Sequence, residues 1–271
     1  MPNLLPHLID MPMSLGDHLE DLRRRLVVPV IAFVLLFMVG FAFWGELMLV
    51  MVEPLRRAVA MVPDEAKHFN LDPNSPRLLQ AIGLSESLVL SVKISAAAAL
   101  AATIPIFVYQ LWMFVSIGLK RHERSLGFLF IPAAVLFFYG GVVLGYHYGL
   151  PLFYAWMITF SAMNPALHAL DLRLETYWED FLAWTVCFGL IMDIPWLVMV
   201  LVRVGLVTRA WLAAKRKFIV LVNVVAAAVI TPGGDITMMI ATMVPMQLLF
   251  EVGLFFSRFL TPRTIESDDP L

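Results

Sequence analysis

Five ionisable side chains lie inside or at the ends of long apolar segments of this chain. They are Glu86, Lys93, Asp193, Asp235 and Glu251. A charge surrounded by hydrocarbon is costly, so such residues are functional candidates by default. They could bind a polar ligand, relay a proton or pair with one another, and each also has a structural interpretation.

Four of the five sit near the end of an apolar segment, where a structural role is simplest. Glu86 and Lys93 are seven residues apart, so they share one face of a helix and could form an anchoring pair at its outer end. Asp235 follows the breaker TPGGD and could cap the next helix. Glu251 could extend to the interface or pair with Arg258, seven residues further on.

Asp193 differs from these because it lies well inside an apolar segment, two residues before Pro195. A proline in a helix frees the carbonyl one turn earlier, here that of Ile191, and kinks the chain. A buried carboxyl beside such a kink predicts a polar cavity. The structural alternative is a protonated or hydrogen-bonded packing residue.

A second kind of candidate lies in two polar segments that flank apolar ones. Glu20 and Asp21 precede Leu22 and Arg23 at the start of an amphipathic helix, and Glu123 lies among bases in the segment 118–124. Both clusters could simply fix topology. The sharper hypothesis is an acidic receptor for a cationic peptide, because the planar fork of arginine pairs bidentately with carboxylates.

The composition indicates the environment in which these groups work. Of 271 residues, 61% are hydrophobic and 15% charged, with a mean hydropathy of +0.84. Soluble domains average about 25% charged residues, so this chain belongs to the membrane class. A net charge of −2 argues against a nucleic-acid partner. The single cysteine, Cys187, excludes an internal disulfide and a cysteine zinc site.

Apolar runs long enough to cross a bilayer predict an all-α integral membrane protein with six spans. They lie near 27–49, 84–115, 126–149, 178–202, 216–231 and 237–257. The segment 1–17 is predicted to be disordered, 18–260 to form one membrane domain and 261–271 to be a cytoplasmic tail. The outer loops near 50–83 and 150–177 keep apolar residues and are expected to form short capping helices.

The distribution of basic residues predicts the orientation of the spans. One side carries Arg23, Arg24, Arg25, Lys120, Arg121, Arg124, Arg203, Arg209, Lys215, Arg216, Lys217, Arg258 and Arg263. The other side carries only Arg56, Arg57, Lys67, Arg77 and Arg173. Because cytoplasmic loops are enriched in lysine and arginine, both termini are predicted to be cytoplasmic.

Enzyme and cofactor motifs are absent from the sequence. It contains no GxxxxGK[ST], HExxH or GxSxG pattern, and its six histidines lack metal-ligand spacing. We therefore predict no enzyme activity, no metal and no cofactor. A secondary transporter with Asp193 as its ion or proton site is the alternative function, although the two halves of the chain do not repeat as transporter halves usually do.

The polar segments and span ends together resemble one known family. Residues 18–26, HLEDLRRRL, look like the HLxELRxRL opening of TatC, the multispanning receptor of the twin-arginine protein translocase. Further matches follow in chain order at 53–55 (EPL), 86 and 93 (Glu and Lys), 109–114 (YQLWMF), 119–124 (LKRHER), 188–195 (FGLIMDIP), 231–235 (TPGGD) and 250–258 (FEVGLFFSR). By this resemblance, Pro54, Phe114 and His122 are expected to have structural roles in loops, and Gln110 to be an intramembrane polar residue.

The chain departs from the family pattern at several of these positions. Asp21 and Asp193 stand where the family has glutamate, which shortens each side chain by one methylene group. Ile117 replaces the usual proline before the HER segment, and Gly233-Gly234 replace one proline before Asp235. Met238-Met239 replace a frequent Ser-Gln.

The resemblance implies a six-span concave bundle in the cytoplasmic membrane that exports folded proteins using the proton gradient. It implies that Asp21, helped by Glu20, and Glu123 bind the paired arginines of signal peptides. Asp193 would be the buried polar group of the concave face, and Asp235 would lie near the outer turn. TatA-like and TatB-like single-span subunits would be partners, with this chain forming a homo-oligomer in the complex.

Overall fold

The computed structural model describes residues 15–75, 78–116, 121–163, 172–230 and 236–259. The described chain is helical almost throughout, which confirms the predicted all-α class. Its helices are α1 (Leu15–Ala42), α2 (Trp44–Met61), α3 (Pro63–Lys67), α4 (Glu86–Val115), α5 (Arg121–Leu144), α6 (Leu150–Ala162), α7 (Leu174–Val204), α8 (Arg209–Ala214), α9 (Arg216–Ile230) and α10 (Ile236–Phe256). A π turn, Gly145–Gly149, joins α5 to α6, and a 3-10 turn, Ser257–Phe259, follows α10.

Five helical stretches among the described residues are long and apolar enough to cross a membrane. They are Glu20–Ala42, Glu86–Val115, Phe130–Ala162, Leu174–Val204 and Met239–Phe259. Their outward side chains are apolar: Val30, Leu35 and Met38 of α1, for example, are 60%, 58% and 63% exposed. Surfaces of this kind are unfavourable in water and favourable in lipid, so the chain is an all-helical membrane protein.

The helix bounds correct two of the predicted spans, the first and the third. The predicted first span includes residues 43–49. In the structure, Phe43 is a turn that ends α1, and residues 44–49 are the start of α2. Apolar composition continues through that turn, so hydropathy does not reveal it. The third apolar run continues through the π turn into α6, so the segment near 150–177 has the expected short helix, but as a continuation of the third span. Helix α9 has 15 residues and, at 1.5 Å per residue, is about 22 Å long.

The chain divides into two compact units. The first comprises 1–48 and 88–132, and the second 49–87 and 133–271. In the first, Gly40 of α1 lies against the backbone of Ser95 in α4, and Gly127 of α5 lies under the ring of Trp112. Small residues at these positions let helix axes approach closely, as is usual in membranes.

The second unit is organised around α7, against which α10 packs. Gly253 of α10 lies on the backbone of Pro195, and the apolar side chains at the end of the pair form a buried cluster with α8. That cluster consists of Val198, Val202, Leu212, Phe250 and Leu254. Helix α7 ends at Gly205, whose φ of 84° favours glycine, and Thr208 caps α8 by accepting from the Trp211 amide at 3.1 Å.

Two adjacent glycines of α5 test whether close approach to α7 matters. A methyl group on Gly141 would meet Met192 and the Phe188 carbonyl, each at 2.5 Å, whereas Gly140 has nothing within 4 Å. Gly141→Ala should therefore lower the free energy of unfolding by about 1–3 kcal/mol through overpacking. Gly140→Ala should be neutral or raise it by up to about 1 kcal/mol because alanine favours helix. Thermal unfolding of both variants in detergent would measure the difference, and equal midpoints would contradict this packing account.

Candidate functional site

The acidic cluster predicted near the N-terminus lies on the first two described turns of α1. Asp21 accepts a 2.6 Å hydrogen bond from Arg25 Nε, one turn further along, and both side chains are only about a quarter exposed (24% and 22%). Glu20 is exposed, as are Arg23 and Arg24, while Leu22 is half-buried. The helix therefore presents one carboxylate already paired with a guanidinium and, beside it, an exposed one.

The second acidic position, Glu123, falls in the first turn of α5, which begins at Arg121. Its side chain and that of His122 lie outside the described side chains, so their approach to Asp21 stays a prediction. Asp235 also lies outside the described residues. On α4, Lys93, Gln110 and Phe114 are half-buried. Phe114 therefore lies in a helix, which corrects its predicted place in a loop.

Asp193 lies in the middle of α7, as the sequence predicted. Its Oδ1 atom is buried, and no hydrogen-bond partner for it occurs among the described residues. A carboxyl oxygen in that state is costly and is the feature expected of a functional intramembrane group. Two residues on, Pro195 provides the surface for Gly253 of α10, so one short segment combines an unsatisfied acid with a helix contact.

Pro54 lies inside helix α2, which corrects its assignment to a loop. The proline nitrogen has no hydrogen, so the carbonyl of Val50, four residues earlier, loses its helical donor. The hydroxyl of Tyr146 donates to that carbonyl at 2.8 Å, and the hydroxyl of Tyr177 donates to the next one, of Met51, at 2.7 Å. Two tyrosines from the π turn and α7 thus fasten α2 at its proline.

Glu86 accepts backbone hydrogen bonds from two separate chain segments. Its Oε2 accepts from the amides of Ile82 and Gly83 at 2.6 and 3.1 Å, and its Oε1 accepts from the amide of Glu175 at 3.1 Å. The last of these is an orphan donor in the first turn of α7. Nearby, Gln80 and Arg173 form an isolated parallel bridge. Glu86 therefore acts as a cap that joins the segment before α4 to the start of α7.

Glu251 pairs with Arg216, which corrects the predicted partner, Arg258. Nε and one terminal nitrogen of Arg216 each lie 2.9 Å from a Glu251 oxygen, a bidentate arrangement. Arg258 lies over the rings of Phe255 and Phe259, at 3.8 and 4.5 Å from their centroids. Because α9 begins beside Glu251, Arg216 lies closer to this carboxylate than Arg258, which is only seven residues away in the sequence.

A short polar chain continues from this ion pair along α9 and α10. Gln247 donates to Glu251 at 3.5 Å, and Asn223, which is 7% exposed, donates to Gln247 at 2.9 Å. Sequence reasoning singled out neither amide, nor Tyr146 and Tyr177. A proline four residues after a carbonyl was the only available signal for the tyrosines. No cluster of three metal-ligating residues occurs in the described part of the chain.

The family profile described as "Sec-independent protein translocase protein (TatC)" matches residues 17–245, most of the chain. This chain belongs to the TatC family. It is therefore a multi-pass membrane subunit of the Sec-independent, twin-arginine protein translocase, a transport protein and not an enzyme. The resemblance inferred from the ordered motifs is confirmed, and the transporter alternative is set aside.

Individual relatives agree with that membership. TatCy of Bacillus subtilis (strain 168) is 30% identical over 246 residues, covering 91% of this chain and 89% of its own length. TatC of Halalkalibacterium halodurans is 32% identical, covering 96% and 94%. The structure titled "Crystal Structure of Twin Arginine Translocase Receptor- TatC in DDM" matches with a TM-score of 0.66 at 25% identity, covering 89% of this chain and 99% of that one.

The contact between Tyr146 and the proline-freed carbonyl can be tested by a double-mutant cycle. Tyr146→Phe should lower the free energy of unfolding by about 1 kcal/mol or more, because it removes the hydroxyl that satisfies Val50. In a Pro54→Ala background the restored amide can satisfy the same carbonyl, so the cost of Tyr146→Phe should shrink to roughly half or less. Thermal unfolding of the four proteins measures the coupling.

Tyr148→Phe is the matched control, since Tyr148 lies on the same π turn and is 65% exposed. It should leave the unfolding midpoint unchanged in both backgrounds. Additive costs for Pro54→Ala and Tyr146→Phe would show that the hydroxyl does not serve the freed carbonyl.

Proposed function

We propose that this TatC-family chain is the receptor for twin-arginine signal peptides, with Asp21 as its principal ligand for the peptide's guanidinium groups. The observation that supports this assignment is the ion pair between Asp21 and Arg25 at 2.6 Å. It holds a partly exposed carboxylate in the geometry that a guanidinium requires, at the polar start of an apolar helix.

Binding at this position is an exchange of partners. Asp21 is already paired, so an arginine of the peptide replaces Arg25 rather than meeting a free carboxylate. Such an exchange keeps the carboxylate ordered before binding and reduces the entropy lost on association. A lysine would replace Arg25 poorly, because its ammonium is a point charge that cannot form two parallel hydrogen bonds. Glu20 and Glu123 supply further negative charge to the second arginine.

We infer from the basic segments that this site faces the cytoplasm, with both termini on the same side. Six membrane crossings are needed for that arrangement, and α9 provides the sixth despite its 15 residues. At about 22 Å it is shorter than the roughly 30 Å hydrocarbon layer, so the bilayer thins around it. TatA-like and TatB-like single-span subunits and further copies of this chain complete the exporting complex, which the proton gradient drives.

Asp193 acts after peptide binding, in export itself. Its buried Oδ1 atom lacks a partner among the described residues. Asp193 is also far from Asp21 in the sequence and lies on a different helix. A polar group of a partner subunit or a proton could satisfy it during transport, and either would couple occupancy of the bundle to its rearrangement.

The receptor assignment predicts unequal effects of two neighbouring carboxylates. Asp21→Asn should weaken binding of a twin-arginine peptide about tenfold or more, as expected for loss of a charge-assisted hydrogen bond of roughly 1.5–3 kcal/mol. Glu20→Gln removes the same charge from the adjacent exposed position and should weaken binding less than about threefold. Fluorescence anisotropy of a labelled peptide with purified protein would measure both.

A peptide with two lysines in place of the arginines is the ligand control. It should bind weakly to the unchanged protein and be little affected by Asp21→Asn. Equal affinity for the two peptides, or equal losses in the two variants, would sink the assignment of Asp21 as an arginine ligand.

Asp193→Ala is expected to separate binding from transport. Export of a twin-arginine reporter, in cells lacking their own TatC, should fall roughly tenfold, the equivalent of about 1.4 kcal/mol in a rate-limiting barrier. Peptide affinity should stay nearly unchanged, because Asp21 is intact. Asp180→Ala, which removes a carboxylate nearer the start of the same helix, is the control and should export normally. Unimpaired transport by Asp193→Ala would remove this residue from the mechanism.

A further inference from the structure

A cavity at the junction of α8, α9 and α10 has a mixed lining that the receptor function does not use. Its walls are apolar on α10, and guanidinium groups stand at its edge. The residues that matter are Arg209, Arg216, Leu248, Glu251, Val252 and Phe255. A ligand that fits this lining must carry both negative charge and an apolar body.

The positive charge at this cavity is not compensated by the described residues. Glu251 is the one carboxylate in its lining, and Arg216 already holds both of its oxygens at 2.9 Å. Arg209 lines the cavity, and Lys215 and Lys217 flank the lining residue Arg216 in sequence. These three side chains are exposed and form no ion pair within the described ranges. The apolar cavity therefore has one unpaired cation in its lining and two more beside it in sequence, while its own acid is paired with Arg216.

Exposed aromatic side chains occur at the same ends of these helices. Trp211, Phe218 and Phe259 are 52%, 63% and 65% exposed. Large aromatic residues beside lysine and arginine at the ends of spanning helices are typical of the interface between hydrocarbon and headgroups. The cavity therefore lies at the depth where a phospholipid has its phosphate and the first part of its acyl chains.

We propose that this cavity binds an anionic phospholipid. The lipid phosphate pairs with Arg209, Lys215 and Lys217, and an acyl chain lies along Leu248, Val252 and Phe255 of α10. Basic pockets between spanning helices bind anionic headgroups through this combination of charge and apolar contact. A lipid held here would also cover one end of the short helix α9. Assignment to the inner leaflet rests on the topology proposed above, whereas the binding site itself does not.

Native mass spectrometry of the full-length protein, titrated with phosphatidylglycerol or phosphatidylcholine, tests the proposal. Phosphatidylglycerol should bind with one preferred site and at least about tenfold more tightly than phosphatidylcholine. Arg209→Gln, Lys215→Gln and Lys217→Gln should each weaken it about fivefold, which corresponds to about 1 kcal/mol per cation. Arg216 is left unchanged, because its loss would expose Glu251.

The triple variant Arg56→Gln, Lys67→Gln and Arg173→Gln is the matched control. It removes three charges, as many as the three cavity substitutions combined in one variant, from elsewhere in the second unit, and should change the affinity less than about twofold. Equal losses in the control and in the variants at the cavity would overturn the proposal in favour of a general effect of net charge. No preference for phosphatidylglycerol over phosphatidylcholine would also overturn it.

Two further measurements separate the lipid from other anions. Inorganic phosphate should fail to displace the lipid at equal concentration, because it lacks the acyl chain; effective competition would indicate a simple anion site and contradict the proposal. The acidic segment 266–269 of this chain is the other candidate occupant. Lipid binding that occurs only after removal of residues 260–271 would assign the cavity to that segment instead. Peptide affinity should be unaffected in every variant, so failure here is distinguishable from failure of the receptor assignment.

Discussion

A backbone carbonyl or amide that lacks its helical partner needs another one, and this constraint explains the long-range polar contacts of α2 and of the start of α7. Pro54 frees a carbonyl in α2, and a tyrosine from another helix satisfies it. Helix α7 begins with an orphan amide, and Glu86 accepts from it. These contacts are long-range in sequence because the local helix has already used its own donors and acceptors. The need to satisfy these backbone groups determines which elements pack against α2 and the start of α7.

The ion pairs of the site residues are of two kinds, those that join two helices and those that lie within one helix. Arg216 and Glu251 satisfy each other at the junction of α9 and α10, and Asp21 is satisfied by Arg25 within α1. The first pair joins two helices, so its exchange would disturb packing. The second is local to one helix and can change partner at little structural cost, which suits a recognition site. Asp193 belongs to neither kind, and its unsatisfied oxygen is the feature that a ligand, partner or proton could address.

Close backbone contacts complete the second unit. Gly141 lies against the backbone of α7, and Gly253 lies against Pro195 of the same helix. Hydrophobic association provides little driving force between helices inside lipid, so van der Waals contact at small residues takes over that role. The family motifs around Phe188–Pro195 and Phe250–Arg258 are therefore packing partners as well as candidate functional segments.

The sequence by itself determined the membrane class, the helical fold and the family, because hydropathy and ordered motifs are local properties of a chain. It also located α4, α7 and α10 to within a few residues at most ends. It did not reveal the turn at Phe43 or the continuation of the third apolar run into α6, since composition does not change there. The tertiary structure alone decided that Tyr146 serves the carbonyl freed by Pro54, that Glu86 caps α7 and that Glu251 pairs with Arg216 rather than Arg258. Each of those contacts joins residues tens of positions apart, and only the packing of the helices sets the distance between them.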